Sequence, residues 1–255
     1  ADGITLDTRS SSSRIQFQKT HSTLCSRILQ LSVTTKQNAI LANKIRQKFK
    51  MKNTTGYSLN ALIDFDDPIK IIEHLMVGSE GTLGFVAEVT YRTVPDYPHK
   101  ATSLMLFPDI KTACEATILL KKCPVSAVEI MDRASLHSIE QKPGMPEYLK
   151  KLDESVAALL VETRGKTQIE LEKHLTHVTN TLAKLITVQP LSFTQDVIEQ
   201  TQLWNIRKGL FPSIGAIREI GTTVIIEDVA FPINCLAKAT LQLQELFQKH
   251  HYSEA

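Results

Sequence analysis

The chain reads as an α+β protein of two unlike units, the second a ferredoxin-like antiparallel sheet with helices on one face. Three observations lead there. Beyond residue 96, apolar strand-like runs alternate with helical stretches in two successive β-α-β units. The N-terminal third lacks this rhythm and is mostly helical in pattern. Between them "VPDYPHK" (94–100) carries two prolines and no periodicity, the mark of a linker. The expected units are therefore 1–95 and 96–255.

In the first unit, "ADGITLDTR" joins turn residues to alternating Ile4 and Leu6, the end of a hairpin. Leu24, Ile28 and Leu31, then Ile40, Ile45 and Phe49, recur at helical spacing, so two helices broken near "SVTTK" are expected. "KNTTGYSLN" (52–60) is a polar loop. In "DDPIKIIEHLM" Asp67 takes the N-cap and Pro68 the first helical position, a well-formed helix start. "GSEGTLG" (78–84) follows that helix. "FVAEVTYRTV" then sets Phe85, Ala87, Val89 and Tyr91 against Glu88, Thr90 and Arg92, the alternation of a half-buried strand.

In the second unit, "TSLMLFP", "VSAVEIM", "VAALLVET" and a short "TVQPLSF" read as strands. Asp109 caps a helix over "DIKTACEATILLKK", a long helix covers 167–186, and another lies near 195–210. "TTVIIEDVAF" is a strong strand, and Pro232 opens a last helix.

Composition narrows the function classes. The chain has 255 residues, 42% hydrophobic and 22% charged, enough for a real core in a soluble protein. A formal charge of +2 makes no electrostatic case for nucleic acid or membrane. Runs such as "AALLV" are far too short to span a bilayer. Cys25, Cys114, Cys123 and Cys235 lack CxxC spacing, so neither a zinc nor an iron–sulfur site is expected within the chain. Scattered thiols fit a reducing cytosol. His174 and His177 stand three apart on a helix, but no third ligand accompanies them and "EKHLTHVTN" reads as a solvated face. No metal is expected. The start "ADGITLD" and the stop at "KHHYSEA", where a strand would be expected next, read as a piece of a longer polypeptide.

The glycine cluster is not a nucleotide cradle. A Rossmann turn or a P-loop runs from strand to helix, so that phosphate meets a helix N-terminus. Here the spacing is GxxGxxG and the order is helix, loop, strand. What remains is a turn that puts Ser79, Glu80 and Thr82 on bare backbone.

The segment "GYSLNALIDFDDPIKIIEHLMVGSEGTLGFVAEVTYRTVP" (56–95) resembles the flavin-contacting stretch of the FAD-linked D-2-hydroxyacid dehydrogenases, which act on D-lactate, glycolate or D-2-hydroxyglutarate. "LWNIRKGLFPSIGAIREIGTTVIIEDVAFP" (203–232) resembles the substrate domain of that family and stands nearest its long bacterial form. The resemblance implies that the first unit is the C-terminal part of a vanillyl-alcohol-oxidase-type FAD-binding domain, and the second a cap over the substrate. It places Thr55, Gly56, Tyr57, Gly78, Ser79, Glu80, Gly81 and Gly84 beside FAD. It makes Arg207 the clamp on the substrate carboxylate, a task that suits a guanidinium's two-pronged fork. Trp204 belongs either over the flavin side of the pocket or in a core or domain contact. Lys208, about 100° further round a helix, is expected in solvent.

The family's pyrophosphate loop and catalytic histidines have no counterpart in the chain. The resemblance thus implies one wall of a site with no catalytic residue of its own, and an inactive piece. It also implies an iron–sulfur module outside the chain, a quinone or other electron acceptor, and a cytoplasmic protein with room for peripheral association at the inner face of the membrane. The alternative is a non-catalytic α+β module for ligand sensing or interaction, since this scaffold hosts many functions. Which hydroxy acid, which acceptor and which oligomeric state are left open.

Overall fold

The computed structural model describes residues 3–51, 53, 56–142, 145–217, 221 and 230–252, the side chains of 211–217 excepted. It forms two compact units: the first runs to Arg92 and the second takes up the chain at Thr93.

The first unit is helical. Helix α1 spans Ser11–Thr20 behind a Ser10 cap, α2 spans Ser22–Gln37 and α3 spans Ala39–Lys48. The break expected near "SVTTK" falls instead at Asn38, whose side chain accepts from the Leu41 amide and caps α3. The threonines before it stay helical because the Thr35 hydroxyl folds back onto the Leu31 carbonyl. A short α4 (Ala61–Asp64) leads to α5 (Pro68–Leu75). Asp67 caps α5 through the Ile69 and Lys70 amides, with Pro68 in the first turn, as its sequence requires. Ala61, Leu62 and Ile71 form a small core with Ile28, Leu29, Phe65 and Leu75.

Charge helps to stitch this unit. Residues 8–63 contain ten Lys and Arg and no acidic residue, so any ion pair made there must reach outside the stretch. Arg14 pairs with Asp67 at 2.6 Å, Lys36 with Asp66 at 2.5 Å and Arg9 with Glu88 at 3.0 Å. Each such surface pair contributes at most about 1 kcal/mol.

Two strand expectations are corrected here. Residues 85–94 make no strand, and Phe85, Tyr91 and Val94 are 92%, 82% and 85% exposed. A strand needs a neighbour for its backbone N–H and C=O groups, and no described residue supplies that ladder. Nor do residues 3–9 pair as a hairpin.

The second unit is built on a three-stranded antiparallel sheet of order β1-β3-β2: β1 is His99–Phe107, β2 Ala127–Met131 and β3 Ala157–Gly165. Its register sets Thr102 opposite Glu162, and Glu162 opposite Ala127. Helix α6 (Ile110–Leu120), capped by Asp109, links β1 to β2. After β2 come α7 (Arg133–His137) and a 3-10 turn at Glu147–Lys151; α8 (Gln168–Leu182) follows β3. Then α9 covers Val197–Ile217 and α10 Leu236–Lys249. Pro232 opens a 3-10 turn before α10 rather than the helix itself. The expected "TTVIIEDVAF" strand lies, but for its last residues, outside the described residues. "TVQPLSF" forms no strand, though Val188 donates to the Leu106 carbonyl and Thr194 bridges Thr102 along the free edge of β1.

The helices do not keep to one face. On one side Met105, Phe107, Leu159 and Val161 pack against Ala113, Leu120, Val178 and Leu182 of α6 and α8. On the other, Leu104, Leu106, Ala158 and Leu160 pack against Leu136, Leu149, Ile206 and Leu210 of α7, the 3-10 turn and α9. The reason is legible in the strands: "SLMLF" and "AALLV" are apolar at successive positions, so both faces must be covered. Each such side chain, fully buried, contributes about 1.5–3 kcal/mol.

Candidate functional site

The predicted site residues fall in both units. In the first, α5 ends in a pair of glycine turns held back to back. The Ser79 amide donates to the Met76 carbonyl at 3.2 Å. Gly78 has φ 78°, and a Cβ there would lie 2.6 Å from the Gly56 carbonyl oxygen. No side chain fits between these two backbones, so the Gly-Tyr turn and the start of "GSEGTLG" form one structure. Two side-chain links close it: the Ser58 hydroxyl donates to the Val77 carbonyl at 2.9 Å, and the Tyr57 hydroxyl lies 2.9 Å from Thr82 Oγ1.

The next four residues reverse the chain. The Thr82 amide donates to the Ser79 carbonyl at 2.9 Å, and the two residues between, Glu80 and Gly81, have φ 50° and 78°. Positive φ at both central positions is the signature of a type I′ turn. Gly81 meets that demand freely, while Glu80 holds it at about 1 kcal/mol or more. A second bond to the same carbonyl, from the Thr82 hydroxyl at 2.6 Å, offsets part of that strain. Ser79 is 3% exposed, whereas Glu80, Gly81 and Thr82 face solvent beside the exposed side chains of Val77, Leu83 and Phe85. Gly84 sits against Met76, 3.3 Å from its Cε to a built Cβ. Thr55 lies outside the described residues. The outer surface thus joins bare backbone, one carboxylate and apolar side chains, which suits a flat heterocycle with polar edges better than a phosphate.

In the second unit, Arg207 stands on α9 over the sheet. Asp196 starts the helix by accepting from the Ile198 and Glu199 amides, and the Gln200 amide group pins its first turn to the Lys100 carbonyl. Ile206 and Leu210 are buried on β1 and β3, which turns Trp204 and Arg207 toward β3 and β2. Trp204 Nε1 donates to Glu162 Oε2 at 2.8 Å, and Arg164 Nε donates to Glu162 Oε1 at 2.6 Å. Trp204 is therefore a core anchor of its own unit. Arg207 Nε donates to Glu129 Oε2 at 2.9 Å, both side chains about two-fifths exposed at 41% and 38%. Lys208 is exposed.

Sequence reasoning missed the carboxylates Glu129 and Glu162. Their signal was a lone acid inside an apolar strand, in "SAVEIM" and "AALLVET", where a charge persists only with a partner. It also missed a buried ion pair. Arg133 Nη1 donates to Glu140 Oε2 at 2.8 Å, with 9% and 4% of the two side chains exposed, and His137 Nδ1 lies 2.9 Å from the other Glu140 oxygen. His174 Nδ1 lies 3.0 Å from the Arg164 carbonyl oxygen. Among the described residues, no group of three or more His, Cys, Asp or Glu is placed to hold a metal, and no helix is long and apolar enough to cross a membrane.

Comparison with known proteins gives these positions a setting. Residues 97–253 match the family model described as FAD linked oxidases, C-terminal domain. The chain is 28% identical over 189 residues to a mitochondrial D-lactate dehydrogenase (cytochrome) of Arabidopsis thaliana, covering 73% of this chain and 30% of that protein. It is 26% identical over 187 residues to glycolate oxidase subunit GlcD of Bacillus subtilis, covering 71% and 37%. It is also 26% identical over 194 residues to a D-lactate dehydrogenase of Anaerostipes hadrus, covering 73% and 37%. The chain spans about a third of the length of these curated relatives.

Proposed function

Because the chain belongs to the FAD linked oxidases, whose C-terminal domain it carries over residues 97–253, we propose that it is part of a flavoprotein that oxidises a D-2-hydroxy acid of the lactate type to the 2-oxo acid. The names of its relatives, D-lactate dehydrogenase and glycolate oxidase, support an α-hydroxy monocarboxylate as substrate. The observation that carries the reading is the Arg207 guanidinium in the matched domain, held at Nε by Glu129 while its side chain stays 41% exposed. A carboxylate accepts two parallel N–H bonds from a guanidinium edge, and Lys in its place would offer only a point charge.

The turn pair of the first unit fits FAD. Gly78 lets the two turns press together at the Gly56 carbonyl, and Gly56 and Gly81, with open space where a Cβ would stand, add no bulk on the outer side. We place Thr55, Gly56, Tyr57, Gly78, Ser79, Glu80, Gly81 and Gly84 beside the flavin. Bound FAD supplies the acceptor for the substrate's α-hydrogen. What the chain's own residues contribute is position: Arg207 fixes the carboxylate, and the turn residues lie along the cofactor. In this reading a histidine outside the chain takes the hydroxyl proton. Electrons leave for a quinone or another carrier, in a long bacterial form through an iron–sulfur module elsewhere in the polypeptide. The second unit is then the cap over the substrate, and activity belongs to the whole protein, of which this chain forms one wall.

The test is Arg207→Ala in the full-length flavoprotein. Losing a charge-assisted fork costs about 2–5 kcal/mol where it is desolvated, so the KM for D-lactate rises strongly while flavin content stays intact. Unchanged kinetics would remove Arg207 from the site.

A further inference from the structure

A guanidinium has five N–H donors in a fixed plane, one on Nε and four on the two Nη atoms. In Arg207 the Nε donor goes to Glu129 at 2.9 Å. Among the described residues no hydrogen bond to a protein acceptor leaves its Nη atoms. The edge formed by Nη1 and Nη2 presents two parallel N–H bonds at a spacing that matches the two oxygens of a carboxylate, as the edge shared by Nε also does. The Nε donor is thus committed to the protein, and the Nη donors are left for another acceptor.

The mounting of Glu129 explains why that division is stable. Glu129 sits in mid-β2, opposite Leu160 of the central strand, on the sheet face that α9 covers. A strand position paired along its backbone moves less than a loop. One turn earlier on α9, Trp204 is tied to Glu162 of β3. Two strand carboxylates therefore hold two side chains three residues apart on one helix. Trp204 fixes where the helix lies, and Glu129 selects one orientation for a long side chain that would otherwise sample many rotamers.

We propose that Glu129 is a positioning residue for the substrate carboxylate: by taking the Nε edge of Arg207 it turns the Nη pair outward as a preformed fork. The inference rests on the reading of Arg207 as the carboxylate clamp. It also makes the pair formally neutral, so recognition depends on the geometry of the fork more than on a free positive charge.

A double-mutant cycle in the full-length, FAD-loaded protein tests it, read by the KM and kcat for D-lactate and by the Kd for oxamate, a non-reacting monocarboxylate. Arg207→Ala raises KM and Kd by roughly tenfold or more. Glu129→Ala raises both by roughly five- to tenfold and leaves kcat within about twofold, because the fork loosens without being lost. Glu129→Gln keeps an oxygen acceptor for Nε and recovers most of the loss. In the Arg207→Ala background Glu129→Ala adds nothing. If Glu129→Ala leaves KM and Kd unchanged while Arg207→Ala raises them, or if its effect persists without Arg207, Glu129 does not position the fork and only this inference falls. If Arg207→Ala itself changes neither constant, the clamp reading falls and this one with it. Flavin content and Tm report folding in every variant. Should Glu129→Ala fail to fold, Glu129→Leu, which fills the same space without an acceptor, takes its place: a rise in KM and Kd that Glu129→Gln does not show supports the proposal, and no rise in Glu129→Leu overturns it.

Discussion

The indole Nε1 of Trp204 lies 2.8 Å from Oε2 of Glu162, so the chain's single tryptophan joins α9 to the central strand through a carboxylate that is 4% exposed. Trp204→Phe keeps most of the apolar contact but leaves a buried oxygen short of a donor. Such a loss costs about 1–3 kcal/mol. Urea unfolding followed by circular dichroism should show the midpoint falling accordingly. An unchanged midpoint would mean that water replaces the indole.

The Arg133–Glu140 pair makes an opposite forecast for single and double changes. Its side chains are 9% and 4% exposed, so Glu140→Ala leaves a buried guanidinium unpaired and costs about 3–5 kcal/mol, while Arg133→Ala leaves Glu140 with His137 as its remaining partner and costs less. Replacing both by apolar residues of similar volume, Arg133→Met with Glu140→Leu, removes the desolvation problem along with the attraction and should leave stability nearly unchanged. Four denaturation curves suffice, and equal losses in single and double variants would refute the buried-charge account.

At the glycine turns, position decides the cost. Gly78→Ala combines φ 78° with a built Cβ 2.6 Å from the Gly56 carbonyl, so the two turns must separate, at about 2 kcal/mol or more. Gly81→Ala has the same φ and open space around it, and should cost only about 1 kcal/mol. Hydrogen exchange over residues 56–84 distinguishes them: protection should collapse at Gly78→Ala and persist at Gly81→Ala.

Asp109 supplies the pH test. The Thr112 amide bond, helped by the Thr112 hydroxyl and the Lys111 charge, holds its carboxyl below the ordinary 3.8 against the opposing effect of burial. A depressed carboxylate stabilises the fold in its ionised form. That contribution is complete above 3.8 and is lost as pH falls through the lower value of the folded state. Asp109→Ala should therefore cost about 0.5–2 kcal/mol at neutral pH. The gap to the parent protein should close in acid below 3.8, where a constant gap would show that the cap acts without its charge.

Much of the framework was legible from local rules. Asp67 and Asp109 mark their helix starts because a short side-chain acceptor at the N-cap satisfies amides no other group can reach. β1, β2 and β3 follow from their apolar runs. The alternating 85–94 stretch misled because periodicity reports a preference, while a strand exists only with a partner. The one-face expectation failed because β-α-β order says which elements follow one another and not where the helix after the last strand will lie.

The candidate site divides in the same way. Its glycines were visible because a left-handed or close-packed backbone position is written in the residue itself, and Arg207 was visible through a motif. Alone, the sequence determined the helix caps, the apolar strands, the glycine turn and the family resemblance, since each depends on residues near one another in the chain. Only the tertiary structure decided that Gly78 presses on Gly56, that Trp204 is tied to Glu162, and that Glu129 takes one edge of Arg207. The last two pairs stand 42 and 78 residues apart in the chain, and such contacts arise from sheet register and helix packing, which no local pattern encodes.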